Sequence, residues 1–170
     1  MNTIERYKFE DNGSEISFMP NYSFLHTLKW WLAAGVIAAA VIFYFKNILS
    51  EKFFIIAAAL WVVYMGYFLL DLIFRVPVKY IFDKREKSIY RKLYFTKRIM
   101  GFDEMTYFIN EETGGYYYVI GKKRNQFVKN YRISKYFSGS KSSRLKEGEF
   151  LDQILYPVLN VLDVPINRPQ

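Results

Sequence analysis

Two apolar stretches decide the fold: residues 30–45 read WWLAAGVIAAAVIFYF, and residues 53–70 read FFIIAAALWVVYMGYFLL. Neither stretch contains a charged residue, and only residues 46–52, KNILSEK, separate them. At about 1.5 Å per helical residue, the second stretch extends roughly 27 Å, close to the hydrocarbon thickness of a bilayer. Phe24, Leu25 and Leu28 lengthen the first stretch. We therefore predict a transmembrane helical hairpin over residues 24–74, with helices at about 28–45 and 53–72.

The charge distribution predicts the orientation of this hairpin. The chain of 170 residues has a net charge of +8, and residues 75–148 contain 18 Lys and Arg against 7 Asp and Glu. The segment between the helices carries only Lys46 and Lys52 as basic residues. Because basic residues near helix ends stay in the cytoplasm, we expect the carboxy-terminal part to be cytoplasmic. Two crossings then place the amino terminus on the same side.

The composition disfavours several kinds of catalytic site. The chain has no cysteine, and His26 is its one histidine. Thiolate metal sites and a Ser-His-Asp triad are therefore not expected. No glycine-rich phosphate loop follows a strand pattern, and the adjacent acids Asp103-Glu104 and Glu111-Glu112 make poor acid-base pairs because neighbouring strand residues face opposite sides. We expect a protein without enzymatic activity, metal or cofactor.

The segments flanking the hairpin have the pattern of short strands and turns. Residues 4–18 predict a β-hairpin with a turn at Asp11-Asn12-Gly13, so that residues 1–23 supply strands that could join a later sheet. Strand patterns follow at residues 78–82, 88–95, 98–110, 116–120 and 126–134, the third with a bend at Gly101 or divided into two strands. Residues 138–148, SGSKSSRLKEG, predict a flexible polar loop.

The last part of the chain has a helical pattern. Apolar residues recur at helical spacing over residues 149–161, where Pro157 is expected to bend the helix, and residues 164–170 form a tail. The predicted fold class is thus an α+β membrane protein. It combines a transmembrane hairpin with a small antiparallel β-barrel or sheet, in a cytoplasmic domain of residues 75–163 closed by the carboxy-terminal helix.

This arrangement resembles the bacterial pleckstrin-homology-like membrane proteins, particularly the YcxB-type group. The resemblance rests on the Phe82-Asp83-Lys84-Arg85 turn, on residues 99–105 (IMGFDEM), and on the closing helix 149–161. It implies a bent sheet forming a small barrel plugged by the helix, a non-catalytic binding module, and a location in the bacterial inner membrane. Inositide binding by eukaryotic relatives does not carry over, since bacterial membranes generally lack those lipids.

Two sets of residues are candidate contact sites. The first set is basic and would meet anionic lipid headgroups: Arg75, Lys79, Lys84, Arg85, Lys87, Arg91, Lys92, Lys122, Lys123 and Arg124. The second set is small and would allow close helix packing within the membrane: Gly35, Ala38, Ala39 and Gly66. Packing of the two helices on each other is the simpler expectation for the small residues, and homo-oligomerisation is the alternative.

These features favour a membrane protein whose cytoplasmic domain binds an anionic lipid surface or a protein partner. One alternative is an immunity protein that neutralises a membrane-targeting toxin of a competing bacterium, with the hairpin packed against the inserted toxin. Another is a subunit or assembly factor of a membrane complex. Nucleic-acid binding is not expected, because a nearby anionic membrane already accounts for the basic residues.

Overall fold

A computed structural model describes residues 2–122 and 129–162. The chain divides into two compact units. A helical unit contains residues 23–77, and a sheet unit contains the residues before and after it. The sheet unit is therefore built from two separate stretches of the chain.

The helical unit is a pair of long helices. Helix α2 covers Phe24–Tyr44 and continues as a 3₁₀ turn over Phe45–Asn47, and helix α3 covers Glu51–Leu70 and continues as a π-helical turn over Asp71–Arg75. The two spans of 24 and 25 residues are long and apolar enough to cross a membrane. Only 6% of each most apolar window is buried. Their apolar side chains are thus exposed, unlike those of a core helix in a soluble protein.

The amino-terminal stretch of the sheet unit begins with a helix. Helix α1 covers Thr3–Tyr7, so the strand predicted at the start of residues 4–18 is wrong there. Tyr7 is buried and packs on Phe150, with 5.1 Å between ring centroids. The predicted turn does form: the Gly13 amide donates to the Asp11 carboxylate at 2.8 Å between strands β1 (Glu10–Asp11) and β2 (Glu15–Phe18). The packing of Tyr7 on Phe150 thus favours a helix in a segment whose sequence pattern predicts a strand.

The first sheet is antiparallel and has five strands in the order β1-β2-β3-β4-β5. The last three strands are β3 (Lys79–Asp83), β4 (Ser88–Lys92) and β5 (Thr96–Gly101). Strand β2 precedes the helical unit, and it pairs with β3, which follows that unit. The sequence left this pairing open, and the structure shows that the amino-terminal strands belong to the sheet.

The second sheet has three strands in the order β6-β7-β8. They are β6 (Met105–Glu112), β7 (Gly115–Lys122) and β8 (Tyr131–Arg132). A turn after Gly101 separates β5 from β6. Of the two predicted alternatives for residues 98–110, the structure has two strands, and they lie in different sheets. Residues 126–128 of the strand predicted at 126–134 lie outside the described residues.

The two sheets do not form the closed barrel that the resemblance implied. The described strands of one sheet are not paired with those of the other. The edge strands β1 and β8 have two residues each, so they offer few backbone groups for hydrogen bonds that would join the two sheets. The fold shown is α+β with two open antiparallel sheets.

The carboxy-terminal helix is longer than the sequence pattern predicts. Helix α4 covers Lys141–Phe150, a π-helical turn covers Leu151–Leu155, and helix α5 covers Tyr156–Val161. The loop predicted at 138–148 is therefore wrong from Lys141 onward. The hydroxyl of Ser140 accepts a hydrogen bond from the Ser143 amide and caps the N-terminus of α4.

The core of the sheet unit lies between the sheets and this helix. Phe18, Phe82, Ile89 and Met105 line it from the strands, and all are nearly inaccessible to solvent. From the helix it receives the predicted apolar stripe: Phe150, Ile154, Leu155, Val158 and Leu159 are buried. Pro157 is the second residue after the π-helical turn, and its missing amide donor interrupts regular helical bonding there.

Candidate functional site

The predicted basic cluster is divided between the two ends of the first sheet. Lys79 begins β3 and pairs in register with Lys92 at the end of β4, and Arg91 pairs with Lys97 of β5. The turn containing Lys84, Arg85 and Lys87 lies at the other end of β3 and β4. Strands of five residues place these groups roughly 15 Å apart. We call the first group the Lys79 end of the sheet.

A loop with exposed aromatic residues closes the Lys79 end. Residues 93–95 connect β4 to β5, and we call them the hairpin tip. Leu93 packs against the core, whereas Tyr94 is 59% exposed and Phe95 is 88% exposed. Sequence reasoning did not select the tip, although the pattern of aromatic residues between Lys92 and Lys97 was a visible signal.

Four cations flank the hairpin tip without an acidic residue between them. Arg91 and Lys92 precede the tip, Lys97 and Arg98 follow it, and residues 87–102 contain no Asp or Glu. Lys92, Lys97 and Arg98 are exposed, and Arg91 is half-buried. The guanidinium of Arg98 lies beside Gly101, and its charge acts on Glu104, so Arg98 extends away from the tip. The tip is thus an apolar projection beside three cations, Arg91, Lys92 and Lys97.

Several predicted basic residues are already paired within the chain. Lys79 lies 2.7 Å from Glu10, and Lys84 lies 3.1 Å from Asp11. Lys122 lies 3.0 Å from Glu104, near the end of the sheet opposite to the tip, since Glu104 also accepts from the Gly101 amide. These pairs reduce the charge available to a partner. Lys123 and Arg124 lie outside the described residues.

The paired carboxylates titrate below their usual range. Hydrogen bonding to Lys79 lowers the pKa of Glu10, and hydrogen bonding to Lys122 lowers the pKa of Glu104. The pKa of Asp11 is lowered first by the Gly13 amide and then by Lys84. Each of these carboxylates is therefore ionised in neutral solution and holds its basic partner.

Arg75, the first residue of the predicted basic set, belongs to the helical unit. It lies 3.6 Å from Asp71 within the π-helical turn. One turn of helix separates the two residues, which is the spacing at which opposite charges face each other. The acid that follows the apolar run is thus paired with a neighbouring base at the end of the helix.

The small residues of the hairpin do not act as one group. Gly35 is buried against α3, and the indole of Trp61 donates to its carbonyl oxygen at 2.8 Å. A Cβ on Gly35 would lie 2.8 Å from the Met65 sulfur. Gly35 therefore supports packing of the two helices on each other.

The other three small residues are more open. Ala38 and Gly66 are exposed, and Ala39 is half-buried. A Cβ on Gly66 would meet no atom within 4 Å. These positions are available on the helix surface for a contact outside the hairpin.

The structure also contains a polar cavity that sequence reasoning missed. Its volume is about 430 Å³, and it lies between α1, residues 135–138 and the start of α4. Arg6, Lys135 and Lys146 line it together with the hydroxyl groups of several serines. These cations come from three distant segments, so no local pattern could have grouped them.

Burial and charge repulsion act on the central cation of this cavity. Burial lowers the pKa of Lys135, and the positive charges of Arg6 and Lys146 lower it further. The backbone amide of Lys135 donates to the Tyr7 hydroxyl at 3.1 Å, which fixes this segment against α1. Among the residues described, no cluster of three or more His, Asp or Glu side chains could hold a metal ion.

Comparison with known proteins gives no relative on which a function could be based. The chain matches no protein-family model, no curated protein and no solved structure.

Proposed function

We propose that the chain is a non-catalytic membrane protein whose sheet unit binds an anionic lipid surface through the hairpin tip. The observation that carries this proposal is the tip itself: Phe95 is 88% exposed, and the three cations Arg91, Lys92 and Lys97 flank the loop that contains it. Aromatic and basic residues together are the groups that favour a membrane interface.

The helical unit supports a membrane location. Its two spans exceed the roughly 20 residues that a bilayer requires, and their apolar side chains are exposed along most of their length. Trp30 and Trp31 are exposed near the start of α2, where an interfacial aromatic belt would lie. An exposed apolar surface of this size in water would be unfavourable, whereas lipid tails would cover it.

Chain connectivity supports the role of the Lys79 end. Strand β2 ends there at Phe18 and leads toward α2, and β3 begins there after residues 76–78. For any orientation of the two units, the short connection keeps Lys79 within about 14 Å of the end of the second span. The hairpin tip is at this same end of the sheet, because Lys92 pairs with both Lys79 and Thr96.

The energies indicate that the tip needs both of its components. Each basic residue near an anionic leaflet contributes roughly 1 kcal/mol. Burial of one Phe side chain contributes about 1.5–3 kcal/mol. The three cations Arg91, Lys92 and Lys97 together contribute about 3 kcal/mol, similar to the contribution of Phe95, so the loss of either component removes roughly half of the attraction. The charged component predicts that binding weakens with salt.

A fluorescent probe at the tip tests the proposal. Because the chain has no cysteine, Phe95→Cys can be labelled with an environment-sensitive dye in the full chain, reconstituted in nanodiscs. We expect blue-shifted emission in nanodiscs containing phosphatidylserine and a smaller shift with phosphatidylcholine alone. Salt at about 0.5 M should reverse the difference, because it shortens the Debye length to about 4 Å.

The matched control is Thr113→Cys in the β6–β7 turn, which is exposed but follows Glu111 and Glu112. Its emission should not depend on lipid charge. Equal emission of the Phe95 label in both lipids, or the same shift at Thr113, would contradict the proposal. No observation in the described residues specifically favours a protein partner, an immunity function or a role in a membrane complex, and these alternatives stay predictions.

A further inference from the structure

The polar cavity is separate from the hairpin tip and has a different chemistry. None of the residues from β4, the tip or β5 lines it. Three cations, Arg6, Lys135 and Lys146, face a space of about 430 Å³, within the size range of small-molecule sites. No Asp or Glu is among its described lining residues.

The nearest carboxylates of α4 are held by hydroxyl groups instead of these cations. Glu149 accepts from the Thr3 hydroxyl at 2.6 Å, and Glu147 accepts from the Tyr118 hydroxyl at 2.8 Å and from Tyr116. In the described part of the chain, Arg6, Lys135 and Lys146 form no ion pair. Because the three cations repel one another and no carboxylate in the cavity compensates their charge, the free energy of the cavity is higher without a bound anion.

Hydroxyl groups complete the polar lining. The serines are Ser138, Ser140, Ser142 and Ser143. Ser138 and Ser140 lie 3.2 Å apart through their Oγ atoms, and the Ser143 hydroxyl accepts from the Ser138 amide at 2.8 Å. These bonds fix the serine-rich turn against the start of α4. Its hydroxyl groups thus add neutral hydrogen-bond donors to the three cations.

We propose that this cavity binds a phosphate monoester group, carried by a small metabolite or by a lipid headgroup, with Arg6, Lys135 and Lys146 as its charge partners. A phosphate monoester carries nearly two negative charges and three strong acceptor oxygens at neutral pH. A phosphate monoester therefore suits a cavity with several cations and hydroxyl donors better than a ligand with a single carboxylate does. The remaining cavity volume accommodates the group to which the phosphate is attached.

Thermal unfolding and calorimetry of the full chain in detergent micelles test this inference. The soluble probe is glycerol 3-phosphate, with glycerol as the uncharged control at constant ionic strength. The lipid probe is phosphatidic acid in phosphatidylcholine nanodiscs. We expect glycerol 3-phosphate or phosphatidic acid to raise the melting temperature, because a ligand that binds only the folded state stabilises it.

Three variants show whether the cavity is the binding site. Arg6→Gln and Lys135→Met should each weaken binding about tenfold or more, the effect of losing a charge-assisted hydrogen bond. Lys141→Gln removes an exposed charge from the same helix outside the cavity and should leave binding unchanged. Lys135→Met should also raise the melting temperature without ligand, because it removes charge repulsion. A purely structural lysine would give the opposite shift.

The probes distinguish the ligand sources and the two proposals. Binding of glycerol 3-phosphate indicates a soluble ligand, and stabilisation by phosphatidic acid alone indicates a headgroup. Either result supports the inference if Arg6→Gln weakens it about tenfold or more. The Phe95→Ser variant should still bind these probes. The cavity can therefore be tested even if the hairpin tip does not bind lipid. The inference is overturned if neither probe stabilises the protein, or if Lys141→Gln weakens binding as much as Arg6→Gln does.

Discussion

Gly115 lies where two backbone segments meet too closely for a side chain. Tyr116, the next residue, forms two backbone hydrogen bonds of 2.8 Å with Phe137. A Cβ on Gly115 would lie 2.1 Å from the Phe137 carbonyl oxygen, which cannot move without breaking this bridge. Gly148, in the interior of α4, has no atom within 4 Å of such a Cβ.

Alanine at these two glycines should have opposite effects on stability. Gly115→Ala should lower the free energy of unfolding by about 1–3 kcal/mol through overpacking. Gly148→Ala should raise it by about 0.5–1 kcal/mol, because alanine favours helix and reduces the freedom of the unfolded chain. Denaturant unfolding followed by circular dichroism measures both changes. Equal effects at the two positions would contradict the close contact at Gly115.

Buried tyrosines should make the sheet unit sensitive to alkali. Burial raises the pKa of Tyr7 and of Tyr80 to about 12. Below pH 10 both phenols are protonated in the folded and unfolded states, and their contribution to stability is complete. Between about pH 10 and 12 only the unfolded chain releases these protons, so stability falls by about 1.4 kcal/mol per pH unit for each phenol.

The variant Tyr80→Phe tests this pH dependence. Removing one buried phenol should flatten the loss of stability between pH 10 and 12 by about 1.4 kcal/mol per pH unit. The comparison is the free energy of unfolding measured at several pH values for both proteins. An unchanged slope would show that Tyr80 titrates normally in the folded state.

At the scale of elements, regular periodicity was predictable and local exceptions were not. The apolar stripe of the last helix was visible in Phe150, Ile154 and Val158, and all three are buried. Its start was not visible, because a serine- and glycine-rich run resembles a loop until Ser140 caps the helix. Helix α1 was missed for a similar reason: five residues contain too little periodicity, and Tyr7 is fixed by distant Phe150.

The helical hairpin gives a prediction at this scale. Gly35→Ile should disrupt packing of α2 on α3, because even a Cβ would lie 2.8 Å from the Met65 sulfur. We expect a lower melting temperature in detergent and unchanged self-association. Gly66→Ile, at an exposed position with no atom near its Cβ site, is the matched control and should change neither. Reduced self-association of Gly35→Ile at an unchanged melting temperature would instead indicate a dimer contact.

At the scale of the molecule, the sheet unit depends on both sides of the hairpin. Strand β2 contributes Ile16 and Phe18 to the core, and both are almost completely buried. Sequence patterns identified strands in each segment, but pairing between distant segments carries no local signal. The same limit applies to the polar cavity, whose cations come from α1, α4 and the chain after β8.

A fragment comparison tests this interrupted construction. Residues 75–170 alone should not form a stable fold, because they lack β1, β2 and Tyr7. A fusion of residues 2–22 to residues 78–170 through a flexible linker should fold, since the paired strands β2 and β3 are adjacent. Cooperative thermal unfolding measures the difference. Equal folding of both proteins would show that the amino-terminal strands are dispensable.

Accessibility of single cysteines in intact cells tests the membrane-spanning hairpin most directly. Ile48 lies between the two helices and is 73% exposed, whereas Thr113 lies in a turn of the sheet unit. With a membrane-impermeant thiol reagent, we predict that Ile48→Cys reacts in intact bacterial cells and that Thr113→Cys reacts only after permeabilisation. Equal labelling of both positions in intact cells would contradict a hairpin that spans the membrane and holds the sheet unit inside.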